Sequence, residues 1–149
     1  TVAAMTEALR PKKGQKILEI GAGSGYQAAI LAEIVGKKGR IITIERVREL
    51  AAFAKQNLRK CNYTNVSIIK SDGTMGWKKS APYNRIIVTA SAPEIPTPLI
   101  EQLKIGGVMV IPVYDEMFVV EKLSKTRIEK KFLGHYAFVP LIGRHGHRR

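Results

Sequence analysis

The chain contains a single cysteine, Cys61, so no internal disulfide can form, and such sparse use of cysteine fits a reducing compartment. Cys61 lies in RKCNYTN and reads as a small residue near a helix end rather than a nucleophile. Long hydrophobic runs are also lacking. The longest, such as IIVTA and VMVIPV, fall far below the roughly 20 residues that span a bilayer as a helix. The opening TVAAMTEALRPKKG has no basic flank ahead of its apolar part and does not look like a signal peptide. A soluble, cytoplasmic protein without a membrane partner is expected. Acidic residues are scarce: 12 Asp and Glu face 25 Lys and Arg, leaving a net charge of +13. That excess favours encounter with anionic partners and permits loose nucleic-acid binding. The basic residues are scattered, however, as Lys12-Lys13, Lys37-Lys38, Lys78-Lys79, Lys130-Lys131 and Arg148-Arg149. No aromatic residues interleave with them to make a base-stacking platform. A solvated basic surface is expected, with no specific nucleic-acid partner.

What is present is ordinary globular composition, 45% hydrophobic and 25% charged over 149 residues. One domain of this size buries roughly 70% of its unfolded surface and needs no covalent staple. Residues 2–10 read as a helix stopped by Pro11 and Gly14. QKILEI is a short apolar strand, followed by a glycine turn and a helix over YQAAILAEIV, with apolar residues spaced by four. RIITIE is a second strand, and Val47, Leu50, Ala51, Ala54 and Leu58 form the stripe of a helix ending near Cys61. NVSIIKSDG and YNRIIVTA give two further strands. Thr97-Pro98 is expected to cap and open a helix through Leu103, ended by Gly106-Gly107. VMVIPV is a fifth strand, and the remainder reads as two long strands joined near Lys125-Thr126.

Strands alternating with helices imply right-handed crossovers, a parallel sheet and helices on both faces. Ligands then bind beyond the carboxyl ends of the strands, where strand order reverses. The candidate site is therefore built from Glu19 and Gly21 to Gly25, Glu45, Ser71-Asp72-Gly73, and Thr89 to Pro93. Within LEIGAGSGYQAA the pattern is Gly21-x-Gly23-x-Gly25, with Tyr26 where a dinucleotide fold needs its third glycine. A ring there is expected to obstruct the strand–helix approach that a pyrophosphate site requires. S-adenosyl-L-methionine has no phosphates and asks only for close backbone at Gly21, Ala22, Gly23, Ser24 and Gly25. Glu45 ends the second strand, where an acid can accept from ribose hydroxyls, a feature shared by both cofactor classes. Arg46 follows it. Asp72 is placed to accept a hydrogen bond from the adenine amine, with Gly73 letting backbone approach the ring. A turn Asp before Gly is the plainer alternative.

Over nearly its whole length the chain resembles the protein-L-isoaspartate (D-aspartate) O-methyltransferases. The resemblance is carried by LEIGAGSGYQAA, IERVREL, the block SDGTMGWKKSAPYNRIIVTASAPEIPTPLIEQLKIGGVMVIPV and the late FVPLIG. It implies an α/β, Rossmann-like SAM-dependent methyltransferase fold: one domain over residues 1–149, with a mostly parallel seven-stranded sheet and an antiparallel C-terminal strand pair. It also implies methyl transfer from S-adenosyl-L-methionine to the α-carboxylate of isoaspartyl residues in damaged proteins, leaving S-adenosyl-L-homocysteine. The partners implied are isoaspartyl-containing peptides and proteins. A carboxylate is ionised at neutral pH and is itself the nucleophile, so no His or Lys general base is expected. By the same resemblance Ala90, Ser91, Ala92 and Pro93, with Val139, Pro140 and Leu141, flank the substrate main chain, and small residues after the fourth strand leave room for it.

The family's Ser, in a Thr-x-Ser-x-Pro-type segment near the reacting methyl, would precede Thr1. No catalytic side chain is therefore assigned, and the chain reads as a fragment of the family's length. Tyr114 stands where the family usually has glycine in a Pro-Val-Gly turn, and Phe118 where Gln is common. His145 and His147 lack a third ligand and read as part of a mobile basic tail, so no metal is expected. His135 reads as packing or surface, and Trp77 as adenine rim or core. Two rival readings remain: an RNA or small-molecule methyltransferase, suggested by the charge, and a SAM-binding module without catalysis.

Overall fold

The computed structural model describes residues 1–148; the last basic residue, Arg149, lies outside them. Seven strands form one sheet in the order β3-β2-β1-β4-β5-β6-β7. The first five are β1 (Lys16–Ile20), β2 (Arg40–Glu45), β3 (Val66–Lys70), β4 (Tyr83–Val88) and β5 (Leu103–Val113), and each pairs in parallel with its neighbours among them. β6 (Glu116–Lys122) and β7 (Ile128–His135) run antiparallel at the far edge. β1, β2 and β4 are apolar runs because both of their faces are covered. The order reverses between β1 and β4, which makes their carboxyl ends the expected crevice.

Helices α1 (Val2–Leu9), α2 (Tyr26–Val35) and α3 (Arg48–Lys60) share one face, where Met5, Leu9, Leu31, Val35 and Leu58 pack with Ile17, Ile41 and Ile87. Helix α4 (Thr97–Gln102) covers the other, where Leu99 joins Leu18, Ile20, Ile44, Ile86 and Val88. α3 illustrates the logic: Ala54 and Leu58 are buried one turn apart, while its charged residues face water. Arg85 of β4 ties α1 down, its Nε donating to the carbonyl of Leu9 at 2.8 Å. None of the described helices is long and apolar enough to cross a membrane.

Two boundaries differ from expectation. Thr97 makes no side-chain cap; Pro96 occupies the cap position and Pro98 the first turn. α4 also does not need Gly106-Gly107 to stop. Lys122 of β6 places Nζ on the carbonyls of Ile100 (2.8 Å) and Leu103 (3.0 Å), satisfying the helix end, and β5 begins at once. The glycines instead lie within β5 at a bulge, where pairing jumps from Tyr83↔Leu103 to Arg85↔Val108.

Candidate functional site at the strand ends

The carboxyl ends of β1, β2 and β4 meet at a cavity of about 290 Å³, near the lower end of the range for small-molecule sites. Gly21 and Gly23 line it after β1, Glu45 at the end of β2 with Arg46 and Val47 beyond it, Gly73 after β3, and Thr89 and Ala90 after β4. A strap from the C-terminal region, Val139 to Ile142, closes it. Larger hollows lie beside α1 (about 710 Å³) and along edge strand β3 (about 500 Å³), but neither is at the strand ends.

Gly21 has φ +97°, and a Cβ there would stand 2.6 Å from the Thr89 hydroxyl oxygen. That hydroxyl lies 3.0 Å from the carbonyls of both Ile20 and Gly21, with one hydrogen to share between them. Backbone therefore forms the cavity wall where any side chain would intrude. The Glu45 carboxylate is fixed by one N–H per oxygen: Gly23 donates to Oε1 at 3.1 Å and Val47 to Oε2 at 3.0 Å. Each oxygen retains capacity to accept again.

Not every expected cofactor residue reaches the cavity. Glu19 is fully buried between β2 and β4, with Oε1 accepting from the Thr43 hydroxyl at 2.6 Å and Oε2 left without a partner. Loss of water raises its pKa to about 8, against the Thr43 bond and with help from the charge of Glu45. Ala22 is buried outside the lining. Ser24 and Gly25 border a separate hollow with Asn57 and Cys61, and the Ser24 carbonyl accepts from Asn57. Asp72 was expected to meet the adenine amine, but Gly73 rather than Asp72 lines the cavity. The Asp72 carboxylate accepts from the Thr74 N–H (2.9 Å) and hydroxyl (2.7 Å) on Oδ1 and from the Arg144 N–H (2.8 Å) on Oδ2.

On the side assigned to substrate, Ala90, Val139, Pro140 and Leu141 line the cavity. Ser91 and Ala92 are buried, and their backbone is already paired, which removes the room expected for a peptide there. Ser91 exchanges bonds with Val139 and Leu141, while Ala92 donates to Pro112 and accepts from Tyr114. Pro93 is half-buried beside them. Val47, Leu50 and Ile142 line the cavity without having been singled out for it. Val47 and Leu50 gave only the signal of a helix stripe, yet Leu50 is 41% exposed.

Two further expectations change, those for Tyr26 and for His145 and His147. The Tyr26 ring is 65% exposed, so it turns away from the sheet and obstructs nothing. Trp77 packs against the core cluster, one of the two places expected for it, and does not line the cavity. His145 and His147 belong to an ordered turn: Ile142 pairs with His147, and the His147 ring meets Tyr114 edge-on at 5.6 Å. Tyr114 has φ +53°, the left-handed backbone that explains why a glycine suits this turn. Phe118 lies on β6 against Phe132, away from the cavity. His135 is exposed beside Asp115.

A family model described as Protein-L-isoaspartate(D-aspartate) O-methyltransferase matches residues 1–146. A protein named protein-L-isoaspartate O-methyltransferase from Methanosarcina mazei is 53% identical over 99% of this chain and 62% of its own length. A solved structure of the same name superposes with a TM-score of 0.92 at 30% identity, covering 97% of this chain and 47% of that one. Another, described as a protein-L-isoaspartate O-methyltransferase from Plasmodium falciparum in complex with S-adenosyl-L-homocysteine, gives a TM-score of 0.81 at 25% identity, covering 95% of this chain and 71% of that one. The chain thus spans less than two thirds of the Methanosarcina relative, yet holds the full seven-stranded sheet and the cavity at its switch point. With the match running from Thr1 to Gly146, across the glycine turn and the strap alike, this chain belongs to the protein-L-isoaspartate (D-aspartate) O-methyltransferase family.

Proposed function

We propose that this chain carries the methyl-transfer centre of a protein-L-isoaspartate O-methyltransferase, with S-adenosyl-L-methionine in the strand-end cavity and isoaspartyl-containing peptides and proteins as acceptors. The observation that carries this reading is that Gly21, Gly23 and Glu45 share one cavity with Val139, Pro140 and Leu141. The residues fit the cofactor. Bare backbone at Gly21 and Gly73 admits a ligand closely, and the Glu45 oxygens have lone pairs left for ribose hydroxyls. Ile20, Ile44, Leu50 and Leu141 offer apolar surface to a ring. Arg46 borders the same space.

When bound, the cofactor supplies an electrophilic methyl group on a sulfonium. The chain's own task is orientation. An isoaspartyl α-carboxylate is ionised at neutral pH, so nothing need remove a proton from it, and the barrier falls by holding the oxygen in line. Ala90 and the Val139–Leu141 strap are the residues proposed to flank the acceptor's main chain. The site of action proposed is a reducing compartment such as the cytoplasm, in keeping with the lone Cys61.

The test is incubation with radiolabelled S-adenosyl-L-methionine and an isoaspartyl peptide, alongside calorimetry with S-adenosyl-L-homocysteine. The expected product is a methyl ester that releases methanol in mild base. Base-stable label contradicts carboxyl transfer, and label entering RNA instead of peptide favours the reading that the +13 charge suggests.

A further inference from the structure

The loop after β3 contributes Gly73 to the cavity lining, and its shape is set from outside the cavity. A Cβ at Gly73 would overlap the Ile20 side chain, so only bare backbone fits there. Gly73 opens the 3-10 turn Gly73–Met75. That turn is closed by the Met75 N–H on the Asp72 carbonyl (3.2 Å) and the Gly76 N–H on the Gly73 carbonyl (3.0 Å). A turn bonded this tightly moves as one piece, and whatever fixes Met75 and Trp77 also fixes Gly73.

What fixes them is one buried amide from another element. Gln102, the last residue of α4, is only 7% exposed. Its Nε2 donates to the Met75 carbonyl at 2.9 Å, and its Oε1 accepts the Trp77 N–H at 2.9 Å. The two bonds straddle Gly76, whose φ is +64° and where a side chain would overlap the Gln102 amide. Leucine would fill the same volume, yet here both polar atoms of the amide are spent on loop backbone. The Tyr83 hydroxyl holds the loop beyond the clamp by donating to the Trp77 carbonyl. The clamp's own base is firm, because Lys122 Nζ anchors the carbonyls at the end of α4. Gln102 itself does not line the cavity.

We infer that Gln102 is a positioning residue for the cofactor: through the backbone of Met75 and Trp77 it holds Gly73 against Ile20 and so shapes the nucleoside side of the strand-end cavity. Without the clamp the turn takes other placements, and apparent affinity falls with the fraction of chains in which the wall is formed. The inference rests on the proposed function for the identity of the ligand; the clamp itself is a property of the fold.

Gln102→Leu keeps the bulk and removes both bonds. Gln102→Glu keeps the acceptor for Trp77, removes the donor to Met75, and serves should Gln102→Leu fail to fold. Leu99→Ala, a truncation on the core side of the same helix, controls for stability alone. Amide hydrogen exchange on the full chain is expected to show Trp77 exchanging about tenfold faster in Gln102→Leu, with a smaller gain in Gln102→Glu. Calorimetry then compares S-adenosyl-L-homocysteine with 5′-methylthioadenosine, which keeps the nucleoside and lacks the amino acid. Both are expected to bind about fivefold more weakly in Gln102→Leu, by the same factor, because the wall meets the half they share. Leu99→Ala is expected to lower the melting temperature yet bind both within about twofold of wild type. Faster exchange at Trp77 with both affinities unchanged overturns the inference, as does a loss confined to S-adenosyl-L-homocysteine or an equal loss in Leu99→Ala. Should the wild type bind neither ligand, the proposed function fails, and exchange at Gly73 and Trp77 decides whether Gln102 holds the wall.

Discussion

The two walls of the cavity are made by different means. The β1–β2 wall is sheet backbone: Gly21 donates to the Ile44 carbonyl at 2.8 Å and Thr89 to that of Ile20 at 3.1 Å, and the ladder that forms the core also forms the site. The strap wall has no such ladder. It is held at one end by the side chains of Asp72 and Thr74 and at the other by a single backbone bridge from Ser91 to Val139 and Leu141, while the Ser91 hydroxyl donates to the Tyr114 carbonyl at 2.6 Å. The difference predicts different failures: damage to the first wall lowers global stability, while damage to the second opens the site and leaves the fold standing.

Gly21→Val breaks the first wall most severely. A β-branched residue at φ +97° facing Thr89 is expected to cost about 4 kcal/mol, combining backbone strain with overpacking. Thermal unfolding is the readout, and a loss below about 1 kcal/mol would erase the contrast with the strap.

Glu19 is a burden within that same wall. Its folded pKa of about 8 exceeds its ordinary value of 4.5, so the folded state holds a proton that the unfolded chain releases. The stability this proton confers is complete below about pH 4.5 and is lost as pH rises to about 8. At roughly 1.4 kcal/mol per pH unit, wild type is expected to fall by about 3 kcal/mol relative to Glu19→Gln between pH 4.5 and 7. Parallel denaturation curves of the two proteins over that range would refute the burial argument.

Thr74→Val belongs to the strap wall, and a loss of about 1 kcal/mol is expected, the cost of leaving the half-buried acceptor Asp72 Oδ1 and donor His145 N–H short of a partner. Chemical denaturation gives the number. Asp72 adds a pH effect of known sign. Partial burial raises its pKa, but the N–H of Arg144, both donors of Thr74 and the charge of His145 outweigh that and leave it lowered. Strap protection is therefore present above the ordinary carboxylate range and is lost as pH falls through the lowered value. Exchange at Arg144 measured down that range checks it. The smallest effect expected is Ser91→Ala, about 1 kcal/mol from the hydroxyl bond to Tyr114, because the backbone pairing with Val139 and Leu141 survives.

How legible each wall was follows from its construction. RIITIE is β2 residue for residue, Arg40–Glu45, because a fully covered strand is written as a continuous apolar run with a charged end. The glycine turn and Glu45 could be placed because strand order dictates where strands end. The strap could not be read so far. Residues 139–147 carry no period, and their partners Asp72 and Thr74 are some seventy positions away and bind backbone N–H groups, which no side-chain pattern records. For the same reason His145 and His147 read as tail. Gly106-Gly107 misled because a bulge and a helix stop ask for the same residue, and Tyr26 because periodicity cannot say that a ring at a helix start turns outward.

The central claim is that both walls enclose one ligand. Titration of the isotopically labelled chain with S-adenosyl-L-homocysteine, followed through backbone amide resonances, tests it directly. Saturable shifts with a common midpoint are predicted for Gly21, Gly23 and Val47 on one wall and for Leu141 and Ile142 on the other. Shifts confined to the hollow beside α1, or none at saturating ligand, would contradict the account.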